Sequence, residues 1–131
     1  MKFERAVEDF LKGVHFAKLA TLNKSGSPQV TPVWYMYDDG KLIINTTADR
    51  VKYRNILRDQ RVALLVDEEY KYVTISGRAR VAEERDAHKD IETLAIMYTG
   101  EERGKKSARE IFSKQERVSI EIIPRRVFSD L

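Results

Sequence analysis

Cysteine is absent, which removes disulfides, thiolate metal sites and a cysteine nucleophile together. Only two histidines occur, His15 and His88, far apart and without neighbours at metal-ligand spacing. No Gly-x-Ser-x-Gly is present, so the chain carries no nucleophile elbow for a serine triad. No stretch approaches the ~20 apolar residues of a membrane-spanning helix. The start, Met1-Lys2-Phe3-Glu4-Arg5, lacks the apolar run of a signal peptide, and the expected location is the cytoplasm. One-sided charge is missing too: 24 basic residues face 21 acidic ones, a net of +3. General nucleic-acid binders carry a larger and more lopsided charge, so that class of partner is disfavoured.

What remains is enough for a core. The chain has 131 residues, 42% of them hydrophobic, which fits one domain spanning residues 1–131. Phe3, Val7, Phe10, Leu11 and Val14 recur at helical spacing and predict an amphipathic helix ending near Gly13. His15 to Leu22 reads as a strand, and Asn23 to Ser27 as a turn. Pro28 to Tyr37 reads as a second strand, at an edge or bulged because Pro32 removes a ladder donor. Asp38-Asp39-Gly40 closes a hairpin to a third strand, Lys41 to Thr47. A helix of about Arg50 to Arg58 follows, with Asp49 as its N-cap.

Arg61 to Asp67 predicts a strand buried on both faces. Tyr72 to Val81 alternates well, with a bulge suggested at Gly77. Glu83 to about Tyr98 reads as a helix, Thr99 to Lys106 as a polar loop, and Ser107 to Phe112 as a short helix. Val118 to Ile122 is the last full strand, ended by Pro124, with Val127 and Phe128 adding a short pairing. The sum is mainly β (α+β): about six antiparallel strands in a small barrel with flanking helices.

The chemistry concentrates where the third strand meets the basic helix. Asn45, Thr46 and Thr47 supply neutral donors, and Arg50, Lys52, Arg54 and Arg58 follow at once. Cations in a first helical turn oppose the macrodipole, a conflict that a bound anion resolves. The other interpretation is a solvated charged face. Trp34, Tyr35, Met36 and Tyr37 form an aromatic run, with Trp34 and Met36 on one face. It serves either as core filling or as a wall for a planar ring. The acidic pairs Asp38-Asp39 and Glu68-Glu69 fall in turns. Tyr35 and Tyr98 are candidate proton donors by residue type alone. An anion pocket without an evident acid, base or nucleophile suits a protein that leaves the chemistry to a cofactor.

Ala20-Thr21-Leu22, a Gly-containing turn and Pro28-Gln29-Val30-Thr31-Pro32-Val33-Trp34 form an opening hairpin. Leu42-Ile43-Ile44-Asn45-Thr46-Thr47 leads into Arg50-Val51-Lys52-Tyr53-Arg54-Asn55-Ile56, and Ile123-Pro124-Arg125-Arg126-Val127 closes the series. In this order, over about residues 10 to 128, the motifs resemble the pyridoxamine 5′-phosphate oxidase-like FMN-binding split β-barrel family. Within it the chain is similar to the branch that uses the deazaflavin coenzyme F-420. The resemblance implies a six-stranded antiparallel Greek-key split β-barrel and a homodimer with cofactor clefts at the interface. It implies that Arg50 and Lys52 grip the cofactor phosphate and that Asn45, Thr46 and Thr47 donate hydrogen bonds to the phosphate or polyol. Val30, Thr31, Pro32 and Val33 would present backbone to the ring. The implied function is hydride transfer between F-420 and a small substrate. The alternatives are an FMN-binding flavoprotein of the same fold and a carrier of flavin or deazaflavin without turnover. The longer C-terminal extension of true pyridoxamine phosphate oxidases is missing from the resemblance.

Overall fold

The computed structural model describes residues 1–131. Helix α1 (Arg5–Leu11) turns Val7 and Leu11 inward and its charged residues outward, as the spacing requires. Seven strands follow: β1 (Ala17–Leu22), β2 (Pro28–Val33), β3 (Met36–Asp38), β4 (Lys41–Thr47), β5 (Arg61–Glu68), β6 (Lys71–Val81) and β7 (Arg117–Asp130). Helix α2 (Val51–Arg58) lies between β4 and β5. Helices α3 (Ala87–Thr99) and α4 (Glu101–Glu110), with a 3-10 turn over Phe112–Lys114, lie between β6 and β7. No helix is long and apolar enough to cross a membrane.

All strand pairs are antiparallel, in the order β2-β1-β5-β6-β7-β4-β3. The two edge strands, β2 and β3, are therefore consecutive in the chain, with only Trp34 and Tyr35 between them. Two residues cannot span a flat seven-stranded sheet, whose strands lie about 4.8 Å apart. The sheet must curl until its edges meet, yet no ladder joins them, so the barrel stays split at this seam. Tyr98 repairs the seam. Its hydroxyl donates to the His15 carbonyl at 2.6 Å and accepts from the Tyr35 backbone N–H at 3.1 Å.

Strand alternation sorts the two faces. Leu19, Leu42, Ile44, Leu64, Ile75 and Ile122 point into one core and are fully buried, joined by Phe3, Val7 and Leu11 from the N-terminal segment and Ile56 from α2. Burying each such side chain is worth roughly 1.5–3 kcal/mol. On the outer side α3 covers β4 and β7 with Ile91, Leu94 and Ala95. Helix α4 packs closely on α3 at Gly104, where a Cβ would collide with the backbone of Ile96. That close approach brings the 3-10 turn and Phe112 down toward β4.

Several expectations need correction. The sheet has seven strands rather than six and is not closed. The run from Pro28 to Tyr37 is two strands, broken where the chain crosses the seam. Pro32 does sit on an edge strand, where its missing N–H costs no ladder bond. Strand β5 alternates between buried and open positions instead of being covered on both sides. The region read as a loop over Thr99 to Lys106 is mostly α4, a helix of low hydropathy held by its contact with α3. Helix α3 begins at Ala87, where the Asp86 carboxylate accepts the Lys89 N–H. Pro124 does not end β7: it lies opposite Gly77, at the bulge the sequence suggested, and the strand continues to Asp130. A Cβ on Gly77 would run into the Ile123 carbonyl, which is why the bulge needs glycine.

Candidate functional site

A cavity of about 420 Å³ opens on the outer side of the sheet, between the Trp34 crossing, β4, the start of α2, α3 and the 3-10 turn. Its apolar wall comes from Phe16, Pro32, Val33, Trp34, Ile91, Leu94 and Phe112. Its polar wall comes from Asn45, Thr46, Thr47, Arg50, Lys52 and Arg117. The volume lies within the range of small-molecule sites, which is about 300–1,000 Å³.

Three cations meet there without an acidic partner. Arg50, Lys52 and Arg117 form no ion pair. Elsewhere Lys18, Arg61, Arg80 and Arg85 each have a carboxylate within reach. Burial lowers the pKa of Lys52, and repulsion from Arg50 and Arg117 lowers it further. Burial and then Arg50 lower Arg117 in the same way, with Asp49 offsetting part of the effect. Asp49, beside the cluster, takes the Thr47 hydroxyl, which holds its carboxyl below the ordinary range. The expected capping role of Asp49 is not present. Arg50 is the N-cap of α2 and makes no side-chain cap bond, so the helix start keeps donors to offer.

Arg117 was not singled out in the sequence. It precedes the alternating run of β7 and comes to the site because it lies opposite Thr47 in the β4–β7 register. Only knowledge of that pairing could have found it. Its Nε donates to Asn45 Oδ1 at 2.9 Å, a terminal nitrogen donates to Gln115 Oε1 at 2.9 Å, and its Cζ lies over the Phe112 ring, 5.0 Å from the centroid. All these hydrogen-bond partners are neutral, so its charge is oriented without an ion pair. Phe16, just before β1, and Phe112, opening the 3-10 turn, were also missed as wall residues, since neither belongs to a periodic run.

Of the expected residues, Pro32, Val33, Asn45, Thr46, Thr47, Arg50 and Lys52 all reach the cavity. Val30 and Thr31 do not: both lie further along β2, and Val30 is 61% exposed on the same strand face as Pro32. Asn45 reaches it with no donor to spare, because its amide nitrogen already donates to the Ala87 carbonyl and to Ser119 Oγ. Thr46, 5% exposed, lies on the opposite strand face from Asn45 and Thr47, so it offers the cavity chiefly backbone. Trp34 stacks on Tyr98, with ring centres 5.2 Å apart and planes at 11°, and its indole faces the cavity as a flat wall. Its neighbour Tyr35 turns inward, where its hydroxyl donates to the Leu11 carbonyl at 2.9 Å. Burial raises the pKa of both Tyr35 and Tyr98, and neither lines the cavity, so neither serves as a proton donor there.

Comparison with known proteins places this architecture. The conserved hypothetical protein Rv2991 from Mycobacterium tuberculosis is 28% identical, with a TM-score of 0.77 over 98% of this chain and 84% of that one. A protein named F420 reductase is 26% identical, with a TM-score of 0.66 over 92% and 94% of the two chains. HutZ, a heme storage protein from Vibrio cholerae, is 17% identical, with a TM-score of 0.70 over 98% and 95%, a likeness of fold alone. The family model described as pyridoxamine 5′-phosphate oxidase matches residues 3–129, nearly the whole chain. A split antiparallel sheet with an anion-ready junction after β4 is thus the form taken here by a member of the pyridoxamine 5′-phosphate oxidase family.

Proposed function

We propose that the protein is an oxidoreductase that binds a flavin-type cofactor in the β4–α2 cavity and transfers a hydride between F-420 and a small organic substrate. The observation that carries this reading is the convergence of Arg50, Lys52 and Arg117, all without carboxylate partners, beside the flat wall of Trp34. Lys52 and Arg117 are half-buried and Arg50 lies exposed beside them, and unpaired cations held together in this way are costly unless an anion shares the site. A phosphate would take the three cations, and a planar ring would lie along the Trp34, Pro32 and Val33 side. The family match and the F420 reductase likeness support this assignment. A bound deazaflavin supplies two-electron hydride chemistry, whereas FMN, which brings a phosphate to the same cations, adds one-electron steps. The chain's own part is to bind, orient and shield.

No carboxylate, imidazole or phenol lines the cavity. That favours hydride transfer in which water supplies any proton, and it keeps the carrier reading as the alternative. The site is proposed to work within a homodimer. Val30, Leu65 and Phe128 lie exposed on the outer sheet face, a surface that a second copy would cover. Reduced F-420 incubated with the protein and a panel of small organic hydride acceptors tests turnover. Acceptor-dependent return of the oxidised F-420 absorbance is expected. Tight binding with no turnover on any acceptor would favour the carrier.

A further inference from the structure

A chain of hydrogen bonds runs from the cavity into the protein beneath α3. Arg117 Nε donates to Asn45 Oδ1 at 2.9 Å, Asn45 Nδ2 donates to Ser119 Oγ at 3.3 Å, and Ser119 Oγ donates to Asp90 Oδ2 at 2.6 Å. Asn45 and Ser119 face each other across the β4–β7 ladder, and Asp90 descends from the first turn of α3. Asp90 is a buried carboxylate, 7% exposed, clamped by Arg85 through bonds of 2.8 and 3.1 Å. Arg85 in turn donates to Asp38 at 2.8 Å.

The direction of each link follows from the groups at its ends, and the Ala87 carbonyl, which also takes the Asn45 NH2 group, agrees with it. An ionised carboxylate only accepts, so the Ser119 proton must point to Asp90. The Ser119 lone pairs then face Asn45, which can meet them only with its NH2 group. That places the Asn45 carbonyl toward Arg117, where a guanidinium can only donate. Without the carboxylate, the Ser119 hydroxyl could turn, and the Asn45 NH2 group would keep only the Ala87 carbonyl as a fixed partner. The amide would then be held less firmly, and with it the Arg117 guanidinium bonded to it. Asp90 thereby helps fix the orientation of a cavity cation it does not touch.

We propose that Asp90, through Ser119 and Asn45, is a positioning residue that presents the Arg117 guanidinium to the anionic group of the bound ligand. This rests on the cavity being the anion site inferred above, and it gives Asn45 a holding role in place of direct ligand contact. It also explains why a buried acid stands behind a cluster of cations yet pairs with none of them. The carboxylate acts by orienting the cluster from a distance and does not neutralise it.

A double-mutant cycle tests the relay. FMN and F-420 are titrated separately, with quenching of the single tryptophan, Trp34, as the signal, and the tighter binder serves as the probe. Arg117→Gln is expected to weaken binding by about tenfold or more, the loss of a charge-assisted contact. Asp90→Asn is expected to weaken it by about threefold or more in the native background, and to have no further effect beside Arg117→Gln. Ser119→Ala cuts the same chain one link nearer the cavity and repeats the measurement if Asp90→Asn does not fold. A purely structural Asp90 would lower the melting temperature equally in both backgrounds and leave affinity unchanged, which overturns the relay. Strictly additive losses overturn it too. Failure of the native chain to bind either probe overturns the anion-site reading and the relay with it. Tight binding that ignores Arg117→Gln overturns the relay alone.

Discussion

Replacing Lys52 with methionine should move stability and binding in opposite directions. The substitution keeps most of the apolar stem and removes one charge. In the free protein that charge is a liability: it is half-buried, no carboxylate pairs with it, and Arg50 and Arg117 repel it. Like-charge neighbours cost about 0.2–0.5 kcal/mol each at exposed sites. Relieving two of them should therefore stabilise the free protein by roughly 0.5–1 kcal/mol, about 2–5 °C in a domain of this size. With a phosphate ligand the same ammonium makes a charge-assisted hydrogen bond worth about 1.5–3 kcal/mol. Affinity should fall by roughly 10- to 150-fold. Thermal melts without ligand, paired with a cofactor titration, measure both effects. Adding phosphate at about 50 mM should raise the melting temperature of the native chain more than that of Lys52→Met, because the native site offers the anion a third cation. A Lys52→Met protein that melts lower without ligand, or binds unchanged, would refute the view of an anion-hungry site.

Three further outcomes follow from the same geometry. Because the folded chain holds Lys52 below its ordinary pKa of 10.5, the unfolded chain binds more protons just below that pH. Stability should rise with pH through that window, cofactor affinity should fall over it, and both slopes should flatten in Lys52→Met, as urea melts and titrations at stepped pH will show. Gly77→Ala should cost about 2 kcal/mol or more, since the new methyl meets the Ile123 carbonyl at the β6–β7 bulge. A urea midpoint within error of the native value would contradict that reading of the bulge. Leu64→Ala, on a central strand and fully buried, should cost about 2–5 kcal/mol by the same assay, with little change in cofactor affinity once folded.

How much of this was legible in the sequence depends on whether a feature is local or paired. The hairpin at Asp38 to Gly40, the glycine bulge at Gly77 and the edge position of Pro32 are written in residues whose backbone limits act on the spot. The Asn45 to Lys52 junction was equally plain, because neutral donors followed by cations are a local pattern. The break at Trp34–Tyr35 was not, since it exists only because β2 and β3 pair at opposite ends of the sheet. Helix α4 was hidden for a related reason: Glu101 to Lys106 has no apolar face of its own, and it folds where Gly104 lets it touch α3. Arg117 and Asp90 depend on the partners of Thr47 and Ser119, which the order of residues does not announce. Asn45 shows the difference between place and role. The sequence put it in the cavity, but only the hydrogen bonds show that both its donors are already used.

The central claim is that this cavity holds a flavin-type cofactor by its phosphate against the wall formed by Trp34. The most direct measurement is a side-by-side titration of the native protein with F-420 and FMN, read by quenching of its one tryptophan. Saturable quenching by at least one of them is predicted, with F-420 the tighter and with the quenching weakened by Arg50→Ala and by Lys52→Ala. Absence of quenching by both, or binding that neither substitution alters, would contradict the claim.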